Sequence, residues 1–450
     1  MIIKNKPQKV YLIGIKGTGM SSLAVLLKKM GHQVTGSDTA EKFFTEAQLK
    51  NDSIPYFEIF DAKSIVRQKP DLVVASTAYG ENHPEIAKAK NLEIETISYP
   101  EMVGRISKSL NSIAVCGSHG KTTTTSMLGY IMEENRQTLT LTGTVAENLN
   151  TKKVNPKFFV FEADEYQNKF RYYLPNKAIL TNIDFDHPDF FKNKKYYAKT
   201  FKDFAVRILK NKGFILFNFD NAAARKLFKS LNGDFSSYGF HKNSGFQVKN
   251  INQDLNNFSI FNKNKELISL ELEVYGKHNI LNAAASAIMA LKCGIKKEVI
   301  RKKLKKFGGV KRRIELIPNP SYIVIDDYGH HPTEISATLA AVRNKYSNKK
   351  IVTVFHPHTF SRTQVLFKDF GKCFKNSDLT IVLDIYASAR ENIGKIHSKD
   401  LVKEIKSNGQ KAIYRSNFTD AADYIKNKIK KGALILTIGA GDVWKLKDLL

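Results

Sequence analysis

Cysteine is scarce in this chain. Its three residues, Cys116, Cys293 and Cys373, are odd in number and far apart, and no CxxC pair occurs. A disulfide framework and a zinc ribbon are thereby excluded, and a reducing compartment fits. Long apolar runs are missing too. The first, Val10 to Ile15, meets Gly14 and Gly17 almost at once, too short for a secretion signal, and no stretch approaches a membrane span. The expectation is a cytoplasmic protein without membrane insertion. Acidic residues are outnumbered: 43 Asp and Glu stand against 71 Lys and Arg, a net charge of +28. The lysines are scattered among asparagines along the whole chain, with one dense stretch from Lys296 to Arg313. No RNA-recognition signature, zinc finger or basic-region heptad accompanies them. That distribution reads as a solvated basic surface, and no nucleic-acid partner is expected. A polyanionic nucleotide substrate is a more economical match for the charge.

At 450 residues the chain has material for two to four domains, each with its own core. Its organising stretch is Gly117-Ser118-His119-Gly120-Lys121-Thr122-Thr123-Thr124. An apolar strand pattern, Ser112 to Cys116, precedes it, and helical spacing from Thr123 to Glu133 follows. A glycine-bearing turn between strand and helix lets backbone N–H groups close on an anion at the helix N-terminus. Lys121 can reach the β/γ-phosphates and the Thr122 hydroxyl can sit on Mg²⁺, so the stretch reads as an ATP site. Val115 stands where the first glycine of the full pattern would fall.

Upstream, the strand Val10 to Ile13 leads into Gly14, Gly17, Thr18, Gly19, Met20 and Ser21, then a helix to about Met30 and a second strand ending in Gly36, Ser37 and Asp38. This is a Rossmann-type nucleotide half, with Ser22 in place of the third glycine. Downstream, the strand from Phe158 runs into Glu162, Ala163, Asp164 and Glu165, and another from Lys177 ends in Asp184, Phe185, Asp186, His187 and Pro188. Strand ends of a parallel sheet share one crevice with the phosphate loop, so Glu165 and His187 are candidate metal residues. Alternation from Phe246 to Tyr275 suggests a meander or hairpin. Asn282 then offers an amide from a small-residue helix face, with Asn279 as an alternative N-cap, and Arg313 can steady a phosphoryl group. From about Pro320 a third α/β unit carries polar strand ends: Asp327, Tyr328, Gly329, His330 and His331, then His356 to Arg362, and Gly439 to Asp442. His330 and His331 either face the site or merely end a strand before a Pro-started helix.

Together these motifs resemble the ATP-dependent Mur ligases of peptidoglycan synthesis, over nearly the whole chain and most closely the members that add alanine. The pieces that carry the resemblance are residues 117–124, 162–165, 181–187, 278–282, 309–313 and 326–334, with the opening and closing glycine stretches. The resemblance implies an α/β protein of three domains: a Rossmann-like UDP-sugar domain over 1–108, a central P-loop ATPase domain over 109–315 and a C-terminal Rossmann-like α/β domain over 316–450 that brings the amino acid. It implies a monomer or weak dimer using ATP and Mg²⁺ to join L-alanine to the lactyl carboxylate of UDP-N-acetylmuramate. Gly17, Thr18, Gly19, Met20 and Ser21 would line the diphosphate site, with Ser37 and Asp38 near the uridine. Gly117, Ser118, His119, Gly120, Lys121, Thr122 and Thr123 would hold ATP, with Asn282 at adenine, Arg313 at the phosphates and Asp327 at the ribose. Thr122, Glu165 and His187 would bind metal. Tyr328, His330 and Arg362 would form the amino-acid pocket, Arg362 pairing with the carboxylate. Two departures point toward the members that attach a whole tripeptide: Thr359 stands where a second arginine is usual, and Tyr166 follows Glu165.

Overall fold

The computed structural model describes residues 7–43, 45–135, 137–143, 155–252, 254–387 and 394–450. Three sheets follow one another along the chain. The first has five parallel strands in the spatial order Tyr56–Phe57, Gln33–Ser37, Lys9–Ile13, Leu72–Ala75, Glu95–Ser98. Leu72–Ala75 is buried at every residue, as expected of a strand covered on both faces. The chain leaves Lys9–Ile13 to one side and later crosses to the other. Its glycine loop at 14–17 therefore opens at the topological switch point, where open α/β sheets bind ligands.

The second sheet has nine strands, of which seven run parallel: Thr138–Leu141, Phe158–Glu162, Asn111–Cys116, Lys177–Leu180, Phe214–Asn218, Phe235–Gly239 and Phe246–Lys249. The expected hairpin, Asn257–Asn262 with Lys265–Glu271, extends one edge antiparallel. Its two-residue turn, Lys263 and Asn264, has positive φ at both positions (48° and 63°), the twist that matches paired strands. Asn111–Cys116 continues through Val115 as a paired strand buried from Ser112 onward, and the glycine turn begins only at Gly117.

The third sheet runs Glu315–Ile317, Ile323–Asp327, Leu434–Ile438, Ile351–Phe355, Leu379–Val382, Ala412–Tyr414, and only its first strand is antiparallel. Glu315 thus pairs within the third sheet. Two helices complete the frame of the site. Lys121–Met132 lies against Lys277–Lys292, whose Ala283, Ala284 and Ala287 are fully buried and let the two backbones approach. Ser286 Oγ donates to Thr124 O across that contact at 3.1 Å. Among the described residues no helix is long and apolar enough to cross a membrane.

Candidate active site

The phosphate loop needs its glycines. Gly117 and Gly120 have φ of 134° and 78°, and a Cβ on Gly117 would stand 2.1 Å from Thr181 Oγ1. The loop is tied to the neighbouring strand end: Asn182 Oδ1 accepts from His119 N at 2.9 Å, and Ser118 Oγ donates to Asp184 O at 2.6 Å. Lys121 folds back over the loop, its Nζ donating to Gly117 O at 2.6 Å and lying 3.2 Å from Glu165 Oε2. Burial opposes its charge, but Glu165 foremost, then Asp164 and Glu162, outweigh that and raise its pKa. Thr122 Oγ1 donates to Glu162 Oε2 at 2.9 Å, and Thr123 lines the cavity beyond.

Glu165 is fully buried, and Tyr197 OH donates to its Oε1 at 2.8 Å. Asp164, Glu165 and His187 bring one ligand atom each to within 4.8 Å of one another. This cluster fits a divalent cation in its oxygen-rich donor set. Burial opposes the charge of Asp164, yet Lys169, at 2.5 Å, and Lys121 hold its carboxyl below the usual range. Asp164 and Glu162 belong to the acidic stretch visible in the sequence, but nothing there says that they, and not Glu165 alone, face the loop. Pairing of Phe158–Glu162 beside Asn111–Cys116 decides it.

A cavity of about 300 Å³ opens beside the loop, lined by Gly120, Asn282, Arg313, Asp327 and Glu334 among others. Asn282 is buried; its Oδ1 accepts from Thr124 Oγ1 at 3.1 Å, and its Nδ2 lies 3.4 Å from Asn279 Oδ1. The helix cap is Gly276, and Asn279 instead donates from Nδ2 back to Tyr275 O at 3.0 Å. Asp327 accepts from Gly329 N, Thr338 Oγ1 and Ile314 N at 2.8, 3.2 and 2.9 Å. Burial pushes its pKa up to about 6. Arg313 lies 3.6 Å from Glu334 and 5.3 Å from the Tyr328 ring, and its Nε is buried without a hydrogen-bond partner.

A larger cleft of about 1160 Å³ joins all three sheets' C-terminal ends. Thr18 and Ser22 line it from the first, Lys121, Thr122, Asp164 and His187 from the second, and Tyr328, His330, His358 and Tyr386 from the third. The other first-domain candidates stand back from it. Gly17 and Gly19 flank the start of helix Thr18–Lys29, while Met20 and Ser21 are buried. Ser37 Oγ donates to buried Glu85 at 2.5 Å, and Asp38 Oδ2 accepts from Lys16 N at 2.6 Å. Lys16, for which no local sequence pattern signals a role, anchors this region. Its fully buried ammonium donates to Glu41 O at 2.8 Å and pairs with Glu46 and Glu58, each at 3.3 Å, fastening the segment over the glycine loop.

The two adjacent histidines divide the roles. His331 caps helix Pro332–Lys345, its side chain accepting from Thr333 N at 3.3 Å. His330 faces the cleft, with Nδ1 3.2 Å from Tyr328 O and Nε2 3.9 Å from Asp186. Burial, aided by Arg362, lowers its pKa to about 3, so the ring is neutral. Arg362 is buried too, and its Nε donates to Asp186 Oδ1 at 2.8 Å. This contact and His331 Nε2, 3.2 Å from Phe185 O, dock the third domain on the second.

His119 is the third docking point. Its Nδ1 is 3.4 Å from Glu334 Oε1, and its Nε2 is 3.3 Å from Asp184 Oδ2 without hydrogen-bond geometry. Its ring lies 4.6 Å from that of His331. Burial disfavours the charge, but Glu334 and Asp184 outweigh it and raise the pKa from 6.5 to about 9. A raised folded-state value contributes stability that is complete below pH 6.5 and lost as pH rises through 9, about 3 kcal/mol in all. Thermal melts between pH 6 and 10 should fall across that window, and His119→Gln should flatten the fall. An equally steep fall in the variant would refute the assignment.

Three consecutive parts of the chain match one family: residues 9–110 the Mur ligase family catalytic domain, 115–290 the Mur ligase middle domain, and 312–441 the Mur ligase glutamate ligase domain. The chain is 37% identical to the UDP-N-acetylmuramate–L-alanine ligase of Desulfitobacterium hafniense strain Y51, with 99% of each chain covered. It is 38% identical to the enzyme of that name from Lactobacillus acidophilus, over all of this chain and 99% of the other. Among solved structures, the UDP-N-acetylmuramate-alanine ligase of Thermotoga maritima superposes with a TM-score of 0.80 at 26% identity, covering 98% of this chain and 97% of that one. A murein peptide ligase from Psychrobacter arcticus shares the fold at a TM-score of 0.68 and 24% identity, with 98% and 97% covered.

Proposed function

The chain belongs to the Mur ligase family, and from that premise we propose that it joins L-alanine to the lactyl carboxylate of UDP-N-acetylmuramate at the expense of ATP. The observation that carries this reading is one cleft bordered by helix Thr18–Lys29 of the first domain, which follows the glycine loop, the phosphate loop of the second and the His330 loop of the third. Three substrates need three such walls.

The γ-phosphoryl group moves from ATP to a carboxylate oxygen, leaving ADP and an acyl phosphate. The uncharged amine of alanine attacks the acyl carbon, the C–O bond to phosphate breaks, and the departing phosphate takes the proton that the amine gives up. Lys121 and Arg313 supply fixed positive charge where phosphoryl oxygens develop theirs. Asp164, Glu165 and His187 would hold Mg²⁺, which supplies further neutralisation of the phosphates when bound. His330 is suited to the amine: Nδ1 keeps its proton on Tyr328 O, so Nε2 presents a lone pair to the cleft. With the third domain docked through Arg362, His331 and His119, water is kept from the acyl phosphate.

A second reading has one observation behind it. The third-domain wall of the cleft extends beyond His330 to His358, Tyr386, Gly441 and Trp444. A tripeptide acceptor would use it. The deciding assay is phosphate release from ATP with UDP-N-acetylmuramate and Mg²⁺, run separately with L-alanine, glycine, L-serine and L-Ala-γ-D-Glu-diaminopimelate. Alanine-dependent release is expected. Release with the tripeptide alone would replace the first reading by the second, and silence with every acceptor from folded, ATP-binding protein would defeat both.

A further inference from the structure

Glu334 is a carboxylate with 11% of its side chain exposed that the chemistry above leaves unused, and it touches several walls of the cleft at once. It stands on the first turn of helix Pro332–Lys345. Its Oε2 accepts from His330 N at 3.0 Å and His331 N at 3.3 Å, which closes a capping box. That half of its work needs no charge, because an amide oxygen accepts the same N–H groups. Its Oε1 is engaged elsewhere. It lies 3.4 Å from His119 Nδ1 on the phosphate loop and 3.6 Å from Arg313 Nη1 at the edge of the smaller cavity. The Glu334 carboxyl is held well below its usual range: burial opposes its ionisation, but beside a neutral His330 the His119 imidazolium and the Arg313 guanidinium outweigh that.

We propose that Glu334 is a positioning residue that couples nucleotide binding to acceptor binding, holding the acceptor loop with one oxygen and two cations, His119 of the phosphate loop and Arg313, with the other. The inference rests on the ligase reading of the cleft. The acceptor loop, with His330, is in place only while His119 is held where the phosphate loop puts it. A nucleotide that orders that loop therefore steadies the element the acceptor needs. The acceptor, by ordering the His330 loop, returns the same factor to the nucleotide, since coupling between two binding equilibria is reciprocal. Arg313 retains a buried, unpartnered Nε, so it can meet a phosphate oxygen while Nη1 stays near Glu334. The groups that face His119 are Glu334, Asp184 and His331, so removing the charge of Glu334 leaves only Asp184 to balance the imidazolium.

The test is Glu334→Gln, which keeps an acceptor for the cap and removes the charge. Calorimetry gives the affinity of a non-hydrolysable ATP analogue with and without saturating UDP-N-acetylmuramate and alanine, and steady-state kinetics gives kcat and KM. In the wild type the other substrates tighten the analogue. In the variant this tightening vanishes, kcat falls about tenfold or more and KM for alanine rises, while affinity for the analogue alone falls by less than kcat does. His119→Asn breaks the same bridge from the other side without touching the helix cap. It reproduces the loss, and the double variant is no worse than Glu334→Gln. Unchanged coupling in both single variants overturns the proposal. So does loss of analogue affinity as large as the loss of kcat, which would make Glu334 a wall of the nucleotide site. So does a double variant whose loss is the product of the two single losses. Wild-type protein that is inactive with every acceptor, and whose analogue affinity the other substrates leave unchanged, would defeat the ligase reading and this inference with it, an outcome distinct from active wild type with unchanged coupling in the variants.

Discussion

Lys121→Ala is expected to lower acceptor-dependent ADP formation by about 10²–10³-fold while UDP-N-acetylmuramate binding changes little. The side chain sits where a charge is worth most. Its Nζ is held by Gly117 O and Ser118 O, and the surrounding carboxylates of Glu165, Asp164 and Glu162 keep it protonated despite burial. Phosphoryl transfer spreads negative charge over oxygens in this same space. A preformed ammonium costs no reorganisation at that moment, whereas water would have to reorient. The alanine variant suffers a second penalty, because Glu165 and Asp164 then face each other without their shared cation. Lys121→Arg separates the two effects. It restores a positive charge, but a planar guanidinium cannot fold onto the Gly117 carbonyl as a compact ammonium does. Arginine should therefore recover stability in a thermal melt and little of kcat. ADP formation within fivefold of wild type in Lys121→Ala would remove the lysine from the mechanism.

How much of this was legible beforehand depends on sequence distance. The phosphate loop was readable because strand, turn and helix are contiguous in sequence and each part has a local physical signature. The polar strand ends were readable for the same reason, and the parallel-sheet rule then sent Glu165 and His187 to one crevice. Strands Thr138–Leu141, Phe214–Asn218 and Phe235–Gly239 leave no mark in the sequence because a largely buried run of four or five residues has no period to distinguish it. The partners of the site residues were invisible. Arg362 and Asp186 are 176 residues apart, Thr124 and Asn282 are 158 apart. No local pattern states that they meet. The same limit hid Glu334. It closes a capping box that its spacing from His331 makes plain in retrospect, but its second oxygen serves His119 on another domain. Lys16 shows the opposite failure: a lysine in a glycine-rich turn looks solvent-bound, and only the fold brings Glu46 and Glu58 around it.

Arg362→Ala should reduce kcat/KM for the acceptor by about 10²–10³-fold and leave ATP binding nearly intact. The pair with Asp186 is buried on both sides, with side-chain exposures of 5% and 4%. Removing one partner of such a pair leaves an uncompensated buried charge, at a cost of about 3–5 kcal/mol. Here that cost falls on docking of the third domain, because Asp186 belongs to the second. Asp186→Asn separates docking from substrate contact. It breaks the ion pair yet leaves the guanidinium available to an acceptor carboxylate. If Arg362 acts through docking, Asp186→Asn loses as much activity as Arg362→Ala and the double variant loses little more. If Arg362 serves only the carboxylate, Asp186→Asn keeps a near-normal KM for the acceptor. Acidity gives an independent check. Burial opposes ionisation of Asp186, but Arg362 outweighs it and holds the pKa well below the usual range. A depressed folded-state value contributes stability that is present above the unfolded pKa of about 3.9 and is lost only as pH falls through the folded one. Docking through Asp186 is therefore constant from pH 5 to 10, whereas docking through His119 fades as pH rises through about 9. A wild-type acceptor KM that rises on the alkaline side, with the Asp186→Asn defect equal at pH 6 and pH 8, is the pattern expected of two contacts that hold the same domain by opposite titrations.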